Sequence, residues 1–567
     1  MRTNNKTSIF IAGTFALLAG ILGCKKYDNP PPVYEDLIRT VGKQRKVLVI
    51  GIDGLGGSEL QTIAPANFTA MQKNAKYSFG TNSGISDAGG WVSMLTGTGF
   101  VKHQVQNDNF ERTRNPNDDD HTPTTSYRNM LDYITQFKAV KTGVVTPWGN
   151  LRKYLSNADF APIVNTDIAV KDSTIAILNN QTGLGTLVVN FRDVEAAGAN
   201  GGFSATNAAY KSAVTTTDGY IGDIMTALKA RKTYSNEDWL VIITSNHGGS
   251  NTAPTNGFMM TYNPSLKQQE LKKMGFNTIL FNNTGIFAEV PSDNGLYDGG
   301  GQTNEFTVQM QVKFLTRTTY PCILSKGTGI DGGSQTGWLW LESSGSAIGS
   351  SWGGTLNASG TPRSEIALAP TGADGSWHTV TFTVKNVNAT TRTVTTYLDG
   401  VQTATGNIAQ HKSLSALSEK LRIGFKKVDN SGSGNFYAAN LAYFNTALST
   451  ATILNNIALK DIKQHPNYAN LTGFWPIDEG ADGLIGNKAP GGYNMVLSGQ
   501  YKWTALGIDV PPGTAPDPNY VASAKSYVSS LGDVSALSLY WMNIKILSDY
   551  GFDGNPFLNQ YEIEFLK

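Results

Sequence analysis

The sequence predicts an α/β domain, a parallel sheet with helices on both faces, into which an antiparallel β-sandwich is inserted. Three observations lead there. From about Val41 to Glu289 short apolar runs alternate with helical patterns, the signature of a parallel sheet covered on both sides. From about Asp293 to Trp503 the pattern shortens to alternating strands separated by turns rich in Gly, Asn, Asp and Ser, which fits an antiparallel sandwich. From about Tyr520 the first texture returns, so the sandwich reads as an insertion. The boundaries expected are 1–23, 24–40, 41–292, 293–505 and 515–567.

The buried strands of the first domain are expected at Lys46–Ile52 (KVLVIGI), Thr186–Phe191 (TLVVNF) and Trp239–Thr244 (WLVIIT), with a helix over Asp218–Arg231. The sandwich strands are expected at 306–314, 378–387, 393–400, 421–428 and 440–448.

The N-terminus begins with a short basic stretch, Arg2 and Lys6, followed by a mostly apolar run from Ile9 to Leu22. That run is shorter than the roughly 20 residues a spanning helix needs and has the length of a signal segment. It ends Ile21-Leu22-Gly23-Cys24, which resembles the lipobox of bacterial lipoproteins. The resemblance implies export by residues 1–23, lipid attachment at Cys24 and a polar, proline-rich tether to residue 40. The second cysteine, Cys322, then has no disulfide partner. The net charge is +1 and charged residues are 16% of the chain. No basic stripe points to nucleic acid.

The first strand runs into Asp53-Gly54-Leu55, and a carboxylate at the carboxyl end of a parallel strand lies where such folds place ligands. VLVIGIDGLGGSEL, SDAGGWVSMLTG (86–97), Lys102-His103-Gln104-Val105, FRDVEAAGANGGF (191–203), TSNHGG (244–249) and the closing 533–557 segment follow one another in order. Together they resemble the alkaline phosphatase superfamily, in its type I phosphodiesterase and nucleotide pyrophosphatase branch. The resemblance implies phosphoryl transfer by a Ser or Thr nucleophile at two metal ions about 4 Å apart, held by six Asp and His side chains.

Carried across by position, the family's pattern is incomplete. Asp53 is present. The nucleophile position holds Asp87, and Ser86 reaches it only with a one-residue slip. The metal aspartate of the DxxxH loop corresponds to Glu195 and its histidine to Ala199; a two-residue slip gives Asp193 with Ala197. In TSNHGG the aspartate is Asn246 and the histidine is His247, and no third histidine follows. Of six histidines in the chain, His103, His121 and His247 fall in this domain. His103 sits in a motif that is structural in the family, and His121 matches no ligand position. Two readings stay open for Asp53, Asp87, Glu195, Asn246 and His247: a residual site for one divalent ion, Ca²⁺ or Mg²⁺, in place of a two-zinc centre, or an inherited fold whose carboxylates are merely solvated or hydrogen-bonded. The acidic run Asp118–Asp120 reads as a solvated loop.

In the second domain, Gly375-Ser376-Trp377-His378, Tyr397-Leu398-Asp399-Gly400, Leu421-Arg422-Ile423-Gly424-Phe425 and Leu441-Ala442-Tyr443-Phe444 resemble the laminin-G-like, concanavalin-A-like jelly roll. The resemblance implies a structural role for Trp377 and His378 and a tight turn at Asp399-Gly400. It also admits sugar stacking on Trp338, Trp340 and Trp352, of which Trp338 and Trp340 share a face; the competing reading is that they fill the core. Residues 470–503 read either as a trailing strand pair or as part of a further module.

Three functions follow. The first is a membrane-anchored binding lipoprotein on a decayed phosphodiesterase scaffold, placed at the outer membrane and capturing a glycan or other nutrient. The second is an active phosphodiesterase or phosphatase with an atypical site. The third is an accessory lipoprotein docked on an outer-membrane uptake complex. The missing histidines favour the first, overlapping with the third.

Overall fold

The computed structural model describes residues 42–113, 126–282, 285–316, 322–327, 336–342, 354–358, 364–367, 374–411, 413–424, 434–521 and 526–564. Residues 1–40, with the expected leader, Cys24 and the expected tether, lie outside the described residues, as do Asp118–Asp120, His121 and Trp352. Among the described residues no helix is long and apolar enough to cross a membrane.

The α/β layer is built on four parallel strands in the order Lys141–Val145, Leu184–Phe191, Gln44–Ile52 and Glu237–Thr244. Their side chains alternate between two cores. Val47 and Val49 enter one, while Leu48, Ile50 and Ile52 enter the other. Both faces of a strand are therefore dry, which is why these strands are near-continuous apolar runs. The helix Ala208–Lys229, longer than the sequence pattern suggested, covers one face. The helices Asp87–Thr96 and Asp533–Trp541 cover the other, so the closing segment completes the first layer across the insertion. The sheet is not wholly parallel. Gly257–Tyr262 runs antiparallel to Glu237–Thr244, and Ala75–Thr81 runs antiparallel to Gly257–Tyr262.

Among the described residues the sandwich consists of two eight-stranded sheets closing on one core. Phe306–Phe314 falls where the alternation placed it, whereas the strand expected at 440–448 is Phe436–Phe444. The domain boundary also differs from the sequence reading. Phe276–Phe281 and Phe287–Glu289 pair with sandwich strands, as does Trp503–Gly507. Residues 470–503 belong to the same body: Leu471–Trp475 pairs with Phe436–Phe444, and Met495–Ser498 with Phe287–Glu289.

Trp338 and Trp340 share a face, but it is the inner one. Each is 1% exposed, and Trp338 packs on Phe306 and Phe382. Rings enclosed by other rings cannot stack on a sugar, so these two tryptophans are core residues and not ligand platforms. His378 is structural, with Nδ1 2.7 Å from Asp399 and Nε2 3.2 Å from Asp374. Asp399 and Gly400 both adopt positive φ (51° and 80°) in a two-residue hairpin loop between Leu398 and Val401, the backbone a primed turn requires.

The two bodies meet across a carboxylate-rich seam. Asp482 of the sandwich accepts from Asn82 at 3.2 Å, and Tyr501 donates to Asp553 at 2.8 Å. Beside them Asp533 accepts from Tyr527 at 2.8 Å and from the backbone N–H of Ser530 and Asn555. Burial raises Asp482 to about 6, aided by the charge of Asp553, and raises Asp533 to about 7. Both folded values lie above the unfolded one near 3.9. Their stabilisation is thus complete below about pH 4 and is lost as pH rises through about 6 and 7. Asp482→Asn keeps the shape and the positive φ (60°) that asparagine tolerates. It is expected to remove part of that loss, on the order of 1–3 kcal/mol at neutral pH, read as a flatter plot of melting temperature against pH than the wild type gives.

Candidate functional site

The carboxyl ends of the parallel strands converge on one buried cluster, the location expected for ligands in such sheets. Gln44–Ile52 delivers Asp53, 0% exposed. Leu184–Phe191 delivers Arg192 and then the helix Asp193–Gly201, with Glu195 in its first turn. Glu237–Thr244 leads to Asn246 and His247, both buried. Asp87 is the first residue of the helix Asp87–Thr96. The five residues singled out in the sequence thus lie together.

Two glycines permit this approach. A Cβ on Gly51 would fall 2.4 Å from the Trp91 ring. Its absence lets the indole cross the strand, where Nε1 donates to Asp53 Oδ1 at 2.8 Å. Gly54 has φ +73°, and a Cβ there would fall 2.0 Å from Glu195 Oε2. Ser86 is not positioned as a nucleophile. Its Oγ accepts from Gly89 N–H at 3.0 Å and caps the helix that starts at Asp87.

Arg192 occupies the centre. Nη2 donates to Asp87 Oδ2 at 3.0 Å, and Nη1 lies 3.5 Å from Asp53 Oδ2. The guanidinium sits over the Trp148 ring, 4.3 Å from its centroid. Its own backbone N–H is held by both oxygens of Asp167 at 3.0 Å. Asp87 Oδ1 accepts from Asn246 Nδ2 at 3.1 Å and lies 2.6 Å from His247 Nε2. Asn246 Oδ1 in turn accepts from the N–H groups of Gly54 and His247. His247 Nδ1 faces the Gly248 carbonyl at 3.2 Å. A carbonyl only accepts, so Nδ1 carries a hydrogen. With Asp87 ionised, Nε2 carries the other, and the ring is an imidazolium.

The titration directions agree with that assignment. Burial alone would raise Asp87 and lower His247; the hydrogen bond between them, with Arg192 acting on Asp87, reverses both. Burial raises Asp53 to about 6 against the pull of Arg192. Burial and the charge of Asp87 raise Glu195 to about 7. Burial also lowers His103 to about 4. It is neutral, bonded to Ser93 Oγ at 2.9 Å and to Val105 N–H at 3.0 Å, a structural role.

The two-metal centre implied by the family resemblance does not fit these residues. Asn246 and Ala199 stand at two of its ligand positions, and Arg192 already lies between Asp53 and Asp87. A divalent ion about 4 Å from that guanidinium would meet a repulsion on the order of 8 kcal/mol at an effective dielectric of about 20. Ligand atoms of Asp87, Glu195 and His247 do lie within 4.8 Å of one another, but there the acidic oxygen and the imidazole already hold each other. Beside the cluster a cleft of about 300 Å³ opens, lined by Pro147, Asn165, Thr166, Arg192, Glu195 and Ala199. Sequence reading overlooked Arg192, Trp91 and Trp148. The available signal was the arginine directly after a buried strand, one residue ahead of Asp193 and three ahead of Glu195.

Residues 288–454 match the laminin-G-type model described as the concanavalin A-like lectin/glucanases superfamily. No curated protein matches the chain. Among solved structures the chain is similar to a 2-O GAG sulfatase at 12% identity, covering 40% of this chain and 66% of that one with a TM-score of 0.31. It is similar to murine ectonucleotide pyrophosphatase/phosphodiesterase 5 at 15% identity, covering 36% and 57% with a TM-score of 0.28. It is also similar to a heptameric SAP-like pentraxin from Limulus polyphemus at 13% identity, covering 39% and 94% with a TM-score of 0.28. The chain thus spans just under two thirds of the sulfatase and less of the phosphodiesterase.

Removing His247 takes one charged donor from buried Asp87, which keeps Arg192 and Asn246, so the cost is that of a single hydrogen bond between charged groups. His247→Gln is therefore expected to lower unfolding free energy by about 2 kcal/mol, measured by urea denaturation at pH 7. A loss below about 0.5 kcal/mol, the scale of an exposed pair, would contradict the imidazolium–carboxylate assignment.

Proposed function

We propose that the chain is a glycan-binding or accessory lipoprotein in which the α/β domain is a non-hydrolytic scaffold. The observation that carries this reading is the engagement of Asp87. The residue at the nucleophile position has Oδ2 bound by Arg192 and Oδ1 bound by Asn246 and His247. A nucleophile needs an available lone pair and a partner that activates it; three donors on one carboxylate occupy most of its roughly four acceptor positions and hold its negative charge, which lowers its nucleophilicity. The phosphate or sulfate esters that such scaffolds cleave would also meet Asp53, Asp87 and Glu195 without two metal ions to screen them.

Binding is assigned to the sandwich, where the lectin-type family model supports a carbohydrate ligand. The lipobox-like Ile21-Leu22-Gly23-Cys24 supports tethering to a membrane, which we take to be the outer membrane. A glycan held there would be presented to an uptake complex. The buried Trp338 and Trp340 play no part in recognition.

The test combines two measurements on the purified protein: a glycan array, and turnover of bis-p-nitrophenyl phosphate and p-nitrophenyl sulfate with zinc, calcium or magnesium added. Retention of at least one glycan class with no turnover above buffer is expected. Turnover that EDTA abolishes would establish instead an active phosphodiesterase or sulfatase with an atypical site.

A further inference from the structure

We infer that Arg192 is a built-in substitute for a metal ion, and that its side chain masks a latent divalent-cation site formed by Asp87, Glu195 and His247 beside Asp53. The inference rests on the non-hydrolytic reading of this cluster and adds to it a cause: the cation that holds the site together belongs to the chain itself.

Geometry carries it. The carboxylates come from separate elements, Asp53 from the end of Gln44–Ile52, Asp87 from the helix Asp87–Thr96 and Glu195 from the helix Asp193–Gly201. Carboxylates this close and this buried are relieved either by taking up a proton or by a cation among them. The guanidinium is placed to serve, 3.0 Å from Asp87 Oδ2 and 3.5 Å from Asp53 Oδ2. It is held there from three sides: by these carboxylates, by the face of Trp148, and through its backbone by Asp167. An arginine does not lose its proton in a protein, so the position stays cationic at any pH the fold survives.

The leftover atoms point the same way. Asp53 Oδ2, Arg192 Nη1 and Glu195 Oε2 are buried without a hydrogen-bond partner. The first two face each other as an ion pair, and the third belongs to a group whose ligand atom lies within 4.8 Å of those of Asp87 and His247. The guanidinium lies against Asp53 and Asp87, and Asp87 shares a compact set of ligand atoms with Glu195 and His247. Oxygen-rich donors with one nitrogen suit a divalent ion. His247 already directs Nδ1 at the Gly248 carbonyl, the support a metal-bound histidine uses, so loss of the Nε2 proton would complete the set.

The experiment compares wild type, Arg192→Ala, Arg192→Met and Arg192→Lys. Each is dialysed against EDTA and then exposed to zinc, manganese or calcium, with metal content read by elemental analysis and melting temperature read with and without the ion. Wild type is expected to hold less than 0.1 equivalent and to melt at the same temperature throughout. Arg192→Ala is expected to melt several degrees lower, to take up close to one equivalent and to recover most of the lost melting temperature. Arg192→Met keeps the apolar stem against Trp148 and gives the same result should the alanine variant fail to fold. Arg192→Lys retains the charge and is expected to take up no metal. Stoichiometric metal in the wild type would overturn the inference and the non-hydrolytic reading with it. Alanine and methionine variants that fold but bind nothing would overturn the inference alone.

Discussion

The pairing of one guanidinium with two buried carboxylates is the constraint on which the rest of this site depends. Asp53 lies at the end of a central strand, fully buried, and Asp87 opens the helix packed across it. Neither carboxylate is tolerable in that position unpaired. Arg192 meets both, and its placement is set in turn by Asp167 and Trp148. His247 and Asn246 then complete the coordination of Asp87 from the next strand. Three neighbouring strands and two helices are tied at one point. The same bonds that give the fold this cross-link engage three of the roughly four acceptor positions of Asp87 and lower its nucleophilicity.

The second body extends this arrangement without entering it. The sandwich is joined to the α/β layer through Asn82–Asp482 and Tyr501–Asp553, and Asp553 also accepts from Gly99 N–H and pairs with Lys102. Gly99 and Lys102 belong to one segment, the start of the short helix Phe100–His103, far in sequence from Asp553 and from Tyr501, so that segment, the closing segment and the inserted sandwich share one set of contacts. The insertion is thereby docked onto the scaffold by polar groups that burial has made sensitive to protonation.

Much of this was legible in the sequence, for identifiable physical reasons. Strands buried on both faces appear as unbroken apolar runs, so Gln44–Ile52 and Glu237–Thr244 announced themselves, as did the alternating Phe306–Phe314. The five site positions came from ordered motifs, and the Asp399-Gly400 turn from its need for positive φ. What the sequence concealed depended on tertiary context. Period-2 spacing placed Trp338 and Trp340 on one face but not on which side of the sheet that face lay. The short strands Phe276–Phe281 and Phe287–Glu289 carry no mark of which body they join. Arg192 was passed over because a motif read for metal ligands directs attention to Asp, Glu and His, while a cation standing where a metal would be has the opposite charge to its ligands.

A guanidinium, and not a metal, lies between Asp53 and Asp87. The most direct measurement is a crystal structure of the wild-type protein soaked in manganese or zinc, with anomalous data collected at the absorption edge. Continuous density for the Arg192 side chain between the two carboxylates, with no anomalous peak within 3 Å of Asp87, is the predicted result. An anomalous peak bound by Asp87, Glu195 and His247, with Arg192 turned out of the centre, would contradict it.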